Sequence, residues 1–168
     1  TRFMRFAFTG VCATGVALIY YLSGDRALGS GRHVIVGLLS HPEETVSPAL
    51  GMIRGFGNFL TYAGGVVGGV FAPALATGAS LGAWLSQLET GTTRPLFVLT
   101  GMTAFLTGLT RTPFTSMILV LEMTDSHEVI LALMLGSIVA QGAAKWIDPV
   151  SFYEHASHRY LRMAERDQ

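Results

Sequence analysis

Ala63-Gly64-Gly65-Val66-Val67-Gly68-Gly69-Val70-Phe71-Ala72-Pro73 is the stretch on which the fold turns. Four glycines fall within the six residues 64–69, in the middle of a run, 55–88, that holds no charged side chain. A glycine in a helix interior costs about 1 kcal/mol relative to alanine, so four this close together end a helix rather than sit inside one. The surroundings are too apolar for a loop bathed in water. Irregular backbone in such surroundings persists where it is buried in protein or lines a watery cavity at membrane depth. The stretch therefore predicts a break between two helices, the second starting near Phe71, with Pro73 in its first turn, and continuing through Ala79 and Leu85.

The rest of the chain supports a membrane setting. Only 13% of its 168 residues are charged, against about 25% in an average soluble domain. Besides 55–88, the stretches 6–24, 95–110 and 129–144 are free of charge, and a spanning helix needs about 20 mostly apolar residues. Arg2 and Arg5 precede the first run in the manner of a signal peptide. It lacks a small-residue cleavage site, however, and further hydrophobic segments follow it. The 11 basic and 11 acidic residues cancel, which leaves no electrostatic footprint for nucleic acid. The single cysteine, Cys12, excludes an internal disulfide and a cysteine-based metal cluster. A chain that opens at Thr1 straight into a helix also reads as part of something larger.

The expected organisation is all-α and polytopic. Residues 1–24 form a spanning helix, 25–46 a connection with a short helix around 34–39, 47–147 a set of core helices with the glycine break at 63–73, and 148–168 a terminal amphipathic helix on the cytoplasmic side. Ser47 followed by Pro48 reads as an N-cap and a first-turn proline, opening a helix to about Tyr62. Thr112 and Pro113 read the same way for a helix that ends near Thr124. Arg54 either points into the protein or snorkels to an interface, and Glu122 is either an interfacial or an interior charge. Arg2 and Arg5 at one end, with Arg159 and Arg162 at the other, place both termini in the cytoplasm by the positive-inside rule.

The start of the helix at Phe71 has no Ser, Thr, Asp or Asn at its cap position. Its first backbone N–H groups thus lack a side-chain acceptor, and together with the positive end of the helix dipole they suit an anion. Broken helices in transporters hold anions this way. The alternative is packing alone, since Gly64, Gly65, Gly68 and Gly69 also suit a close helix crossing. The five histidines, His33, His41, His127, His155 and His158, share no metal-ligand spacing, and no nucleophile elbow, phosphate loop or dinucleotide fingerprint is present. The expectation is a protein without enzymatic activity, metal or cofactor.

Three blocks, taken in order, resemble the CLC family of chloride channels and chloride/proton exchangers: Gly68-Gly69-Val70-Phe71-Ala72-Pro73; Gly101-Met102-Thr103-Ala104-Phe105 through Thr110-Arg111-Thr112-Pro113; and Ile118-Leu119-Val120-Leu121-Glu122-Met123-Thr124-Asp125. The likeness extends over essentially the whole chain and corresponds to the second of the two inverted repeats of a CLC membrane domain, with its broken and tilted helices. The resemblance implies that the amides of Val70 and Phe71 coordinate chloride, that Gly68, Gly69, Ala72 and Pro73 form the supporting loop, and that Tyr153 donates its hydroxyl to the same ion. Without the family, Tyr153 reads as an aromatic anchor of an amphipathic helix. The family often carries a basic residue at the place of Arg54. It also implies a homodimer through helices near 113–125 and 128–145, in contact with membrane lipid, in the bacterial inner (plasma) membrane.

Two departures stand out. Many relatives have proline just before the Gly-Gly pair, where this chain has Val66-Val67. The family's serine ligand, gating glutamate and proton-relay glutamate belong to the first half of the domain, which is needed for a complete pore and has no equivalent here. Channel and exchanger therefore stand undivided. The competing reading is a non-transporting helical membrane assembly subunit whose glycines serve packing. Another transporter family with broken helices would require all three blocks to be coincidental.

Overall fold

The computed structural model describes residues 2–65, 68–89, 94–125 and 127–148, with side chains left out at 2, 3, 5, 25 and 26. Among the described residues there is no strand. The helices are α1 (Arg2–Ser23), α2 (Arg32–Ser40), α3 (Pro48–Ala63), α4 (Phe71–Leu85), α5 (Arg94–Thr110), α6 (Pro113–Thr124) and α7 (Ile130–Ile147). Short 3₁₀ turns follow α1 and α4 and precede α7. Among the described residues two stretches, Phe6–Ser23 and His127–Ile147, are long and apolar enough to cross a bilayer. The 12 residues of α6 reach only about 18 Å at 1.5 Å per residue, well short of a hydrocarbon core of about 30 Å. The terminal helix expected over 148–168 lies outside the described residues beyond Asp148.

The chain separates into two compact units, Thr1–Met102 and Thr103–Gln168, with the division inside α5. In the first unit α4 is the core. Ala74, Leu75, Ala76, Thr77, Gly78, Ala79, Ser80, Gly82 and Ala83 are all buried, and the small size of all but Leu75 lets neighbouring backbones come close. Gly51 of α3 lies against Leu81, and Gly55 against Thr77, so α3 runs antiparallel to α4. α2 covers the core with Val34, Ile35 and Leu38. The start of α5 approaches α4 backbone to backbone, Gly82 facing Phe97 and Val98, and Gly101 facing Gly78 and Gly82. α1 rests on α3 through Gly15 and Leu60 and leaves Phe6, Phe8, Val11, Leu18, Tyr21 and Leu22 exposed.

The connections are held by side chains. Ser47 accepts the Ala49 amide at 3.3 Å, with Pro48 in the first turn of α3, as its sequence predicts. Gln87 pairs with both backbone groups of Val46, its Nε2 donating to the carbonyl at 2.8 Å and its Oε1 accepting from the amide at 3.2 Å. Arg94 donates to the carbonyls of His41 and Glu44.

In the second unit the break between α5 and α6 departs from its expected form. Thr112 occupies the N-cap position of α6 but makes no capping bond. Its hydroxyl pairs with that of Thr110 at 2.8 Å, a nearer partner than the first amides of the helix. Order at this break comes from Arg111, which adopts a left-handed backbone, φ 63°. Its guanidinium donates to the carbonyls of Ala144 (2.6 Å) and Asp148 (2.5 Å), and Gln141 donates back to the Arg111 carbonyl at 3.1 Å. A cation thus covers the negative end of α7. Glu122 is exposed.

Candidate anion site

α3 ends where the glycines begin. The Gly64 amide donates to the Leu60 carbonyl at 2.9 Å and the Gly65 amide to the Tyr62 carbonyl at 3.0 Å. Gly65 has φ 77°, a conformation an L side chain adopts only at a cost. The Gly64 carbonyl is tied down from α1 by the Thr9 hydroxyl at 3.1 Å. Val66 and Val67 lie outside the described residues.

α4 then starts without a cap. Val70 holds the N-cap position with no side-chain hydrogen bond, and its torsions, φ −86° and ψ −29°, are helical rather than the extended ones from which a cap reaches forward. The first backbone bond into the helix runs from the Ala74 amide to the Val70 carbonyl at 3.1 Å. The amides of Val70, Phe71 and Ala72 precede that bond, and Pro73 has no N–H to offer. Gly68, Gly69, Phe71 and Ala72 are exposed, while the helix is buried from Ala74 to Ser80. The structure thus gathers Gly68, Gly69, Val70, Phe71, Ala72 and Pro73 at one helix start. Tyr153 lies outside the described residues.

The packing alternative divides between the two glycine pairs. A Cβ on Gly64 would stand 3.1 Å from that of Cys12, so this glycine does serve the contact of α1 with α3. At Gly68 and Gly69 an added Cβ meets nothing within 4 Å.

α3 supplies two polar residues that sit four positions apart. Arg54 is 1% exposed and donates to the carbonyls of Gly29 (3.1 Å) and Leu28 (3.5 Å). It therefore points inward, which decides between its two expected placements. Asn58 donates from Nδ2 to the Pro73 carbonyl at 3.3 Å and to the Thr77 hydroxyl at 3.1 Å. The Thr77 hydroxyl donates to the same Pro73 carbonyl at 2.8 Å. Neither Asn58 nor Thr77 stands out in the sequence. The available signal was the spacing of Asn58 from Arg54, which puts both on one helix face.

The sequence profile of the voltage gated chloride channel family matches residues 1–145. The chain belongs to this family. As a voltage gated chloride channel family member it is an integral membrane protein, all-α as expected. It is also similar to the H(+)/Cl(-) exchange transporter ClcA of Cronobacter sakazakii (strain ATCC BAA-894), with 34% identity over 117 residues. That alignment covers 64% of this chain and 24% of the exchanger, so the chain spans about a quarter of the length of the relative it matches.

Proposed function

We propose that this chain supplies part of a chloride path across a membrane, as a channel or as a chloride/proton exchanger, and that the ion binds at the start of α4. The observation that carries this reading is the uncapped start itself. The amides of Val70 and Phe71 precede the first backbone bond of a helix buried from Ala74 to Ser80, and the absence of side chains at Gly68 and Gly69 leaves room for an ion in front of them. The helix dipole adds the equivalent of about half a positive charge there. Such partial charges replace water around the anion without trapping it as a full cation would, which suits conduction.

The rest of the proposal leans on family resemblance. Tyr153 donates its hydroxyl to the same ion, and the first half of the domain completes the pore. Two copies meet through helices near 113–125 and 128–145, where Phe114, Ile118, Leu131, Leu135, Ile138 and Val139 are exposed apolar residues. The bacterial relative favours a bacterial inner membrane in contact with lipid.

The test is chloride release from liposomes holding the assembled protein that contains this chain, comparing native protein with Val70→Pro and Tyr153→Phe. Proline at position 70 deletes one amide at a φ of −86°, near the proline value, and follows a glycine that tolerates it. Chloride release by the native protein, with a raised half-saturating chloride concentration in both variants, supports the reading. Absence of anion flux from the native protein under every gradient and pH overturns transport. Native-like half-saturation in a folded Val70→Pro variant overturns the amide site.

A further inference from the structure

Side chains hold the peptide units on either side of the glycine stretch: Thr9 donates to the Gly64 carbonyl, and Asn58 and Thr77 converge on the Pro73 carbonyl in the first turn of α4. We infer that Asn58 is a positioning residue for anion binding, acting through Thr77 and the Pro73 carbonyl to fix the direction in which the first amides of α4 point. The inference rests on the proposed site at that helix start.

The chemistry of the three groups supports this role. The Pro73 peptide unit belongs to the first turn of α4, and in a helix its carbonyl points along the axis, away from the N-terminus. Holding the carbonyl oxygen therefore sets the tilt and rotation of the turn whose amides face the other way. Thr77 alone sits on the same helix and moves with it, so its bond at 2.8 Å gives α4 no external reference. Asn58 comes from α3 and supplies that reference through a forked donation, 3.3 Å to the carbonyl and 3.1 Å to the hydroxyl. Thr77 is 1% exposed, so water does not substitute for the amide there. The arrangement also leaves the amides themselves open. A side-chain cap would hold the helix start equally well, but it would occupy the place of the ion.

The experiment measures chloride dependence of flux in liposomes, with the assembled protein, for Asn58→Leu, Thr77→Val and the double variant. Leucine keeps the branched heavy-atom skeleton of asparagine and removes both donated bonds. The size-exclusion profile and thermal midpoint of each variant report folding independently. The expected result for Asn58→Leu is a rise of about fivefold in half-saturating chloride, the equivalent of one hydrogen bond, with maximal flux within about twofold of native. In the double variant the effects fall short of the product of the single ones, because both residues act on one carbonyl. A packing role alone would lower the thermal midpoint and leave half-saturation unchanged, and that outcome overturns the proposal. So do fully multiplicative effects in the double variant. If Val70→Pro also leaves half-saturation unchanged, the site itself is wrong. If Val70→Pro raises it and Asn58→Leu does not, the site stands and the positioning role falls. Asn58→Gln, which restores an amide donor on a longer arm, should recover part of the lost affinity.

Discussion

Replacing Gly82 with alanine tests how closely α4 and α5 approach. A Cβ built on Gly82 stands 2.8 Å from the carbonyl carbon of Phe97 and 3.2 Å from Cα of Val98, and nearer still to the Phe97 carbonyl oxygen. Carbon atoms in contact rest about 3.5–4.0 Å apart, so the two helices must separate by about 1 Å to admit the methyl group. The opposing atoms are backbone, and no side chain can swing aside to absorb the change. Overpacking of this kind costs about 1–3 kcal/mol, offset by at most about 1 kcal/mol from the better helix propensity of alanine. Gly82→Ala should therefore lower the thermal midpoint of the assembled protein in detergent. Gly37→Ala is the control. In α2 an added Cβ meets nothing within 4 Å, so the propensity gain stands alone and the midpoint should rise. If Gly82→Ala unfolds at or above the native midpoint while Gly37→Ala behaves as expected, the close contact between α4 and α5 is refuted.

At Arg54 the two obvious replacements should rank against charge conservation. Arg54→Lys keeps a buried cation but loses the fork that reaches the Leu28 and Gly29 carbonyls, whereas Arg54→Met fills the space without a charge to desolvate; the lysine variant should be the less stable by about 2 kcal/mol in thermal or denaturant unfolding. Arg111→Asn retains a residue that tolerates the left-handed backbone and removes the guanidinium from the end of α7. It should cost about 1–2 kcal/mol and speed amide hydrogen exchange over the last turn of α7.

Much of the helical plan was legible because it rests on local rules. Ser47 with Pro48, the charge-free 6–24 run closed by Gly24, and the glycines at 64–69 each act through backbone propensity or capping, which neighbouring residues decide among themselves. The start of α4 at Phe71 was legible for the same reason. Thr112 shows where such rules fail. Its residue type and its proline neighbour read as a cap, yet a second threonine two positions earlier offered its hydroxyl a closer partner. Arg54 left two readings open because nothing in its own helix tells which face is buried; the carbonyls that receive it lie 25 and 26 residues away. Asn58 went unread, and Arg111 entered only as a member of a family block, without its role at the end of α7. Both act on carbonyl groups of another helix, and every residue has a carbonyl, so no residue type marks the partner in the sequence.

As the proposed anion site, the start of α4 would have to meet two demands that ordinarily conflict. Amides that are to bind an ion need a fixed direction, and they must also lack a protein acceptor. The usual way to order a helix N-terminus is a side-chain cap, which stabilises it by about 1 kcal/mol and satisfies an amide in doing so. Here neither the residue type nor the torsions of Val70 permit that cap. Fixation comes instead from the acceptor side of the peptide units, at the Pro73 carbonyl through Asn58 and Thr77, and at the Gly64 carbonyl through Thr9. Small residues along the rest of α4 then lock its axis against α3 and α5. A helix held by its carbonyls and its flanks can keep its first donors both open and aimed. The glycines serve both ends of the break: Gly65 takes the left-handed turn that follows α3, and Gly68 and Gly69 put no side chain directly before the first amides of α4.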